Sequence, residues 1–287
     1  MLLRILTAAV LIPAVVALVW WGPLPLLAAI AAVVAVLALV EFFALGDRMG
    51  LRAFAKWTIL CAAALFYAQY SASLVETHEL SGGVSVVRDL AGGVVSVETV
   101  LLLFVFGAVA IGLFTRRPLQ DVLPAISISS AGLLFIALPF SYVLRLDEIE
   151  GAGRQLILFT LVLIWVGDMA AYFVGRSIGR FHMAPALSPK KTWEGAVANV
   201  VGSLLVATAY CYFTNADLVS FLLIAGVANI AGQMGDLIES AYKRGAGVKD
   251  SGALLPGHGG MLDRIDSLIL ASPVVWLLYQ WLGKPGP

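Results

Sequence analysis

LVSFLLIAGVANIAGQMGDLIESAYK, residues 218–243, carries two patterns at once. Residues 218–238 are apolar and long enough to cross the ~30 Å hydrocarbon core of a bilayer as a helix. Yet Asn229, Gln233, Asp236, Ser240 and Lys243 recur at steps of four, three, four and three, which puts them on one helical face. Glu239, three residues beyond Asp236, lies on the same side. Such a stripe facing lipid is costly, so it must face the interior of a bundle or a wet cavity. Polar contacts between helices account for Asn229 and Gln233. They account poorly for two carboxylates followed by Lys243 and Arg244.

The rest of the chain supports a membrane bundle. Its 287 residues are 61% hydrophobic, with a mean hydropathy of +0.95 and only 13% charged residues. Soluble domains carry about 25% charge. The expected fold is therefore all-α, a polytopic integral membrane bundle of about nine transmembrane helices. The expected spans are roughly 4–21, 24–45, 57–75, 94–114, 122–144, 155–176, 195–214, 218–238 and 266–283. Pro23 and Pro25 mark a tight turn between the first two. The first apolar run is followed at once by another, so it reads as a retained anchor, not a cleaved signal peptide.

Basic residues orient the bundle. With the N-terminus cytoplasmic, 14 of the 18 Lys and Arg residues fall in inside segments, leaving Arg88, Arg145, Arg154 and Lys284 outside. This places 177–194 and 239–265, both polar and rich in Gly or Pro, on the cytoplasmic face. Zero net charge gives no field for a nucleic-acid partner. Cys61 and Cys211 sit in apolar runs without metal-ligand spacing and read as small core hydrophobes. The outside loop 76–93, with Glu76, His78, Glu79 and Asp89, reads as solvated.

Residues 1–154 read as a scaffold of about five helices, and 155–287 as the region where chemistry collects. Asp168 lies at membrane depth, either as a buried charge held by a basic neighbour or as a functional group. Around it Gly167, Ala171, Gly175 and Gly179 form a small-residue stripe for close helix packing. In SPKKTWEGAVAN, from Ser188, either Ser188 or Thr192 can cap a helix whose first turn holds Glu194. Lys190 and Lys191 before that helix suit an anion or lipid headgroups. Further on, Asp250, Asp263 and Asp266 supply hard oxygen ligands suited to Mg²⁺, and Lys243, Arg244, Lys249 and Arg264 supply cations. Gly257, Gly259 and Gly260 around His258 allow backbone N–H groups to approach an anion. Together these are the parts of a metal–polyphosphate site.

SAYKRGAGVKDSGALLPGHGGMLDRID, from Ser240 to Asp266, resembles the signature of the phosphatidate cytidylyltransferase (CDP-diacylglycerol synthase) family, S-x-x-K-R-x4-K-D-x-G-x2-L-P-G-H-G-G-x-x-D-R-x-D. Every fixed position is filled. GDLIES, SPKKTWEG and WVGD-x-AAYFVGR also resemble family blocks, so the likeness covers about residues 160–267. Met169 departs from it, since the family more often has a small hydroxyl residue there.

The resemblance implies transfer of the cytidylyl group of CTP to phosphatidate, with Mg²⁺ and an optional second cation. It implies an inner-membrane enzyme whose partners are CTP, phosphatidate and membrane lipids, with a homodimer left open. On this basis Asp236, Asp250 and Asp263 are the expected metal ligands. Ser188, Lys190, Lys191, Lys243, Arg244, Lys249, Arg264, Gly257, Gly259 and Gly260 would hold phosphates, with Asp168 behind the nucleotide or metal. His258 stays open between phosphate donor, loop residue and acid–base group. Asp266 reads as a helix cap or a partner of Arg264. The competing activities are a CTP-dependent lipid-alcohol kinase and, in another class, an ion-coupled transporter using Asp168 and Asp236.

Overall fold

The computed structural model describes residues 2–80, 95–254 and 259–282. Among them, each of the nine expected apolar stretches is helical. The first half contains α1 (Leu2–Trp21), α2 (Leu24–Arg48), α3 (Ala55–Leu80) and α4 (Val97–Phe114). It continues through α5 (Leu119–Gly132), a π-helical turn (Leu133–Ala137) and α6 (Leu138–Asp147), which form one rod. The second half contains α7 (Gly153–Ile178), α8 (Trp193–Thr214), α9 (Leu218–Gly245) and α10 (Leu262–Trp281). Among the described residues, six helical stretches, with Leu119–Asp147 taken as one, are long and apolar enough to cross a membrane by length and composition.

Local chemistry sets the helix ends. Ser96 caps α4 by accepting from Thr99 N at 3.2 Å, and Asp217 caps α9 by accepting from Ser220 N at 2.8 Å. Asn215, with φ 57°, ends α8 in the left-handed conformation. The π turn lies just ahead of Pro139, which has no N–H to donate and whose ring crowds the preceding turn.

Two boundaries differ from the sequence expectation. Helix α9 stays helical to Gly245, beyond the expected end of the span at 238, so the stripe through Ser240 and Lys243 lies on one helix, and Arg244 joins its last turn. Helix α3 runs to Leu80 and absorbs the start of the segment expected as an outside loop; 81–94 lie outside the described residues. The fold is nearly all-α. The exception is an antiparallel hairpin inside 177–194, β1 (His182–Ala184) with β2 (Ser188–Thr192), pairing His182 with Thr192 and Ala184 with Ser188.

The core is tight where helices cross on small residues. Ala31, Ala35 and Ala38 are buried along α2, and Gly132 of α5 fits against Leu39 and Phe43. Large apolar side chains point outward, among them Phe106, Leu113, Phe114, Tyr212 and Phe213. An apolar exterior of this extent suits lipid better than water. In the second half α7 packs on α8, α8 on α9, and α9 on α10. Helix α10 also packs on α6 and α2, so the two halves share one core.

Candidate active site

The floor of the site is a chain of amides joining three helices. Gln233 Nε2 on α9 donates to Asn229 Oδ1 at 2.7 Å. Asn229 Nδ2 donates to Asn199 Oδ1 on α8 at 2.5 Å and to Ser203 Oγ at 2.6 Å. Asn199 Nδ2 donates to Asp168 Oδ1 on α7 at 3.1 Å. Asn199, Ser203 and Asn229 are buried, while Asp168 remains accessible. The small-residue stripe makes this possible. A Cβ at Gly167 would overlap Asn199, and a Cβ at Gly202 would lie 3.1 Å from Ala170 Cβ. Gly175 and Gly195 likewise bring α7 against the start of α8. The oriented carboxylate at Asp168 faces the charges of Asp236 and Lys191.

Above the floor, Asp236, Glu239 and Asp266 converge, with one oxygen from each within 4.8 Å of the others. Helical spacing places Asp236 and Glu239 one turn apart on α9. Asp266 arrives because α10 meets α9 on glycine. A Cβ at Gly235 would overlap the carbonyl oxygen of Asp266, and one at Gly232 would lie 3.4 Å from the Ser267 carbonyl. Two lysines reach these acids. Lys191 Nζ pairs with Asp236 Oδ2 at 2.5 Å, and Lys243 Nζ pairs with Glu239 Oε2 and, at 2.5 Å, with Asp263 Oδ1. Glu239 Oε1 is buried with no hydrogen-bond partner among the described residues.

That arrangement suits a divalent cation. Asp168, Asp236, Glu239, Asp263 and Asp266 meet two lysines, and a buried carboxylate oxygen lacks a donor. Hard oxygen ligands in negative excess are what Mg²⁺ requires. Of the expected metal ligands, Asp236 lies in this group. Asp263 lies across Lys243 from it, and Asp250 is exposed on the loop after α9.

The glycine-rich segment is organised around carboxylates. Asp263 Oδ2 accepts from Ser251 N at 2.9 Å and Gly260 N at 2.8 Å. Gly259 has φ 81°, and a Cβ there would lie 2.7 Å from Asp263 Oδ2. A Cβ at Gly260 would overlap the carboxylate of Glu41. Glu41, on α2, accepts from Met261 N at 2.9 Å, Leu262 N at 2.9 Å and Ser251 Oγ at 2.8 Å. Gly260 N, expected to face an anion, here donates to a protein carboxylate. Glu41 is not among the residues that the sequence pattern singles out. Its only signal is a lone acid in an otherwise apolar stretch, LALVEFFAL.

The remaining expected residues are placed as follows. Thr192, not Ser188, caps α8 by accepting from Gly195 N at 3.2 Å, and Ser188 lies in β2 facing Ala184. Glu194 accepts from the Arg180 and Phe181 amides at 3.0 and 3.2 Å, closing the hairpin base. Arg244 donates to the Leu187 carbonyl at 3.1 Å and the Val248 carbonyl at 3.1 Å, tying hairpin to loop. Lys190, Lys249 and Arg264 are exposed. Gly257 and His258 lie outside the described residues.

A family model described as "Cytidylyltransferase family" matches residues 2–282. The chain belongs to the cytidylyltransferase family. Phosphatidate cytidylyltransferase of Bacillus subtilis (strain 168) is 40% identical over 147 residues, 50% of this chain and 55% of that protein. The enzyme of the same name from Haemophilus influenzae is 44% identical over 133 residues, 44% of this chain and 46% of that protein. The one from Thermotoga maritima is 36% identical over 189 residues, 63% of this chain and 68% of that protein. The chain thus spans about half the length of the first two relatives and about two thirds of the third. Membership agrees with a site built of clustered carboxylates and lysines at the ends of apolar helices.

Proposed function

We propose that this cytidylyltransferase-family chain transfers the cytidylyl group of CTP to phosphatidate, releasing CDP-diacylglycerol and pyrophosphate. The observation that carries the proposal is the Asp236, Glu239 and Asp266 group, with its unsatisfied Glu239 oxygen, flanked by Lys191 and Lys243. The names of the relatives supply the substrates. In the reaction an oxygen of the lipid phosphate attacks the α-phosphorus of CTP. The bond from that phosphorus to the α–β bridging oxygen breaks, and its electrons leave with pyrophosphate. A phosphomonoester has a second pKa of about 6, so the nucleophile is largely dianionic at neutral pH and needs no strong base.

Asp236, Glu239 and Asp266 would hold Mg²⁺, with Asp250 and Asp263 close by; when bound, the ion neutralises phosphate charge. The lysines divide the remaining work by burial. The Lys191–Asp236 pair keeps 27% and 31% side-chain exposure, so it is worth about 0–1 kcal/mol and exchanges readily for a phosphate. Lys190, Lys249 and Arg264, all exposed, are placed to meet further phosphate oxygens, with Arg244 and Ser188 holding the hairpin beside them. Gly257, His258 and Gly259, which the family-like signature carries, would add to phosphate binding. Asp168, held by Asn199, would act behind the metal or nucleotide through its charge beside Asp236 and Lys191.

The same reading sets nine spans with the N-terminus cytoplasmic, so that 177–194 and the end of α9 face CTP in the cytosol. Residues 1–154 form the scaffold and 155–287 the catalytic region. The bacterial relatives favour the inner membrane. The decisive experiment uses purified protein, phosphatidate, Mg²⁺ and CTP labelled separately at the α and γ positions. Label from α is expected in lipid, and label from γ in pyrophosphate. Label from γ in lipid would make the protein a CTP-dependent lipid kinase and end the proposal.

A further inference from the structure

Glu41 carries a charge into the apolar packing of α2, between Leu39 and Phe42, both buried. Its carboxylate is matched by three donors more than 200 residues away in the chain: the Met261 amide, the Leu262 amide and the Ser251 hydroxyl. Met261 and Leu262 begin α10, where helix N–H groups have no partner of their own and favour negative charge. Met261, at the N-cap position, makes no side-chain capping bond. The Ser251 hydroxyl has a single proton, and Asp263 Oδ2 already accepts from two amides, so the hydroxyl serves Glu41. Gly252 and Gly260 fit against the carboxylate so closely that a Cβ on either would overlap it.

We propose that Glu41 is a positioning residue for cytidylyl transfer: it fixes the start of α10, and through it Asp263, Lys243 and Asp266, from the scaffold half of the molecule. The connection is continuous. Glu41 holds Leu262; the next residue, Asp263, holds Lys243; Lys243 holds Glu239; and Asp266 lies one turn further along α10. The α2 scaffold therefore enters the catalytic geometry through these protein contacts. This assignment rests on the proposed cytidylyl transfer for its effect on rate, but not for the tether itself.

The test compares wild type, Glu41→Gln, Glu41→Ala and Ser251→Ala as full-length protein in detergent. Steady-state kinetics with CTP are read beside hydrogen exchange of the Met261 and Leu262 amides. Loss of register in the acidic group is expected to lower kcat about 10- to 100-fold in Glu41→Ala. KM for CTP should stay within about threefold, because the hydrogen bonds of Glu41 are spent on protein donors. Exchange at both amides should accelerate. Glu41→Gln should fall between, since its carbonyl still accepts. Ser251→Ala, which removes one donor, should lose a smaller factor, and it serves where Glu41→Ala fails to fold. Unchanged kcat in Glu41→Ala, or unchanged exchange at Met261 and Leu262, overturns the assignment; where Glu41→Ala does not fold, unchanged kcat in Ser251→Ala does so. If wild type itself makes no CDP-diacylglycerol, the proposed function falls, and the exchange comparison alone decides the tether.

Discussion

Lys243 and Lys191 look alike in the sequence and differ in environment. Lys243 has 12% side-chain exposure and lies between Glu239 and Asp263, at 3% and 8%. Removing its charge strands two buried carboxylates, at a cost of about 3–5 kcal/mol. Lys243→Met is therefore expected to lower the melting midpoint strongly, and adding Glu239→Gln should recover part of the loss. A double variant no better than the sum of the two singles would sink the idea that Lys243 balances these acids. The Mg²⁺ assignment has a readout separate from turnover. Mg²⁺ at about 100 times its Kd should stabilise the wild type by about 2.7 kcal/mol, seen as a raised melting midpoint. Asp266→Asn should blunt that response, and an equal shift in both proteins would remove Asp266 from the ligand set. Wild-type activity should vanish with chelator and return with Mg²⁺.

At the scale of elements, the site depends on how closely α9 and α10 approach. Gly235→Ala places a methyl group against the Asp266 carbonyl, and such overpacking costs about 1–3 kcal/mol. Activity should fall further than stability, because Asp266 is pushed from Asp236 and Glu239. Gly226→Ala on the same helix is the control. Its added Cβ meets only Leu204 at 3.8 Å, so stability should hold or rise by up to about 1 kcal/mol. Equal activity losses in the two would show that the approach at Gly235 is unimportant. These elements also show what the sequence could disclose. Apolar runs of membrane length and the polar stripe of α9 depend on local periodicity, so they are legible. The hairpin was not, because β1 and β2 are only three and five residues long inside a polar segment with Pro185 and Pro189. In sequence Asp266 reads as a cap or a partner of Arg264, because its place beside Asp236 depends on a contact between two helices at Gly235. Glu41 was missed for a similar reason, since all three of its donors come from the far end of the chain.

At the scale of the molecule, the chemistry works only if the acidic group opens to the side that holds CTP. The arrangement proposed has α8 running outward, the turn at Asn215 on the far side, and α9 returning to present Lys249 and Asp250 to the cytoplasm. Both native cysteines are buried, Cys61 at 4% and Cys211 at 7%, so a new surface cysteine should dominate labelling. Lys249 and Asn215 are exposed and lie at opposite ends of α9. Lys249→Cys should react with a membrane-impermeant maleimide in inside-out vesicles and resist it in intact spheroplasts. Asn215→Cys should do the reverse. Reaction of Lys249→Cys from the outer face would invert the bundle and separate the carboxylates from cytosolic nucleotide. Equal reaction of both variants from one face would instead mean that α9 does not cross the membrane. The α9 stripe would then line a surface groove, and the lipid phosphate would have to reach Asp236 from the side.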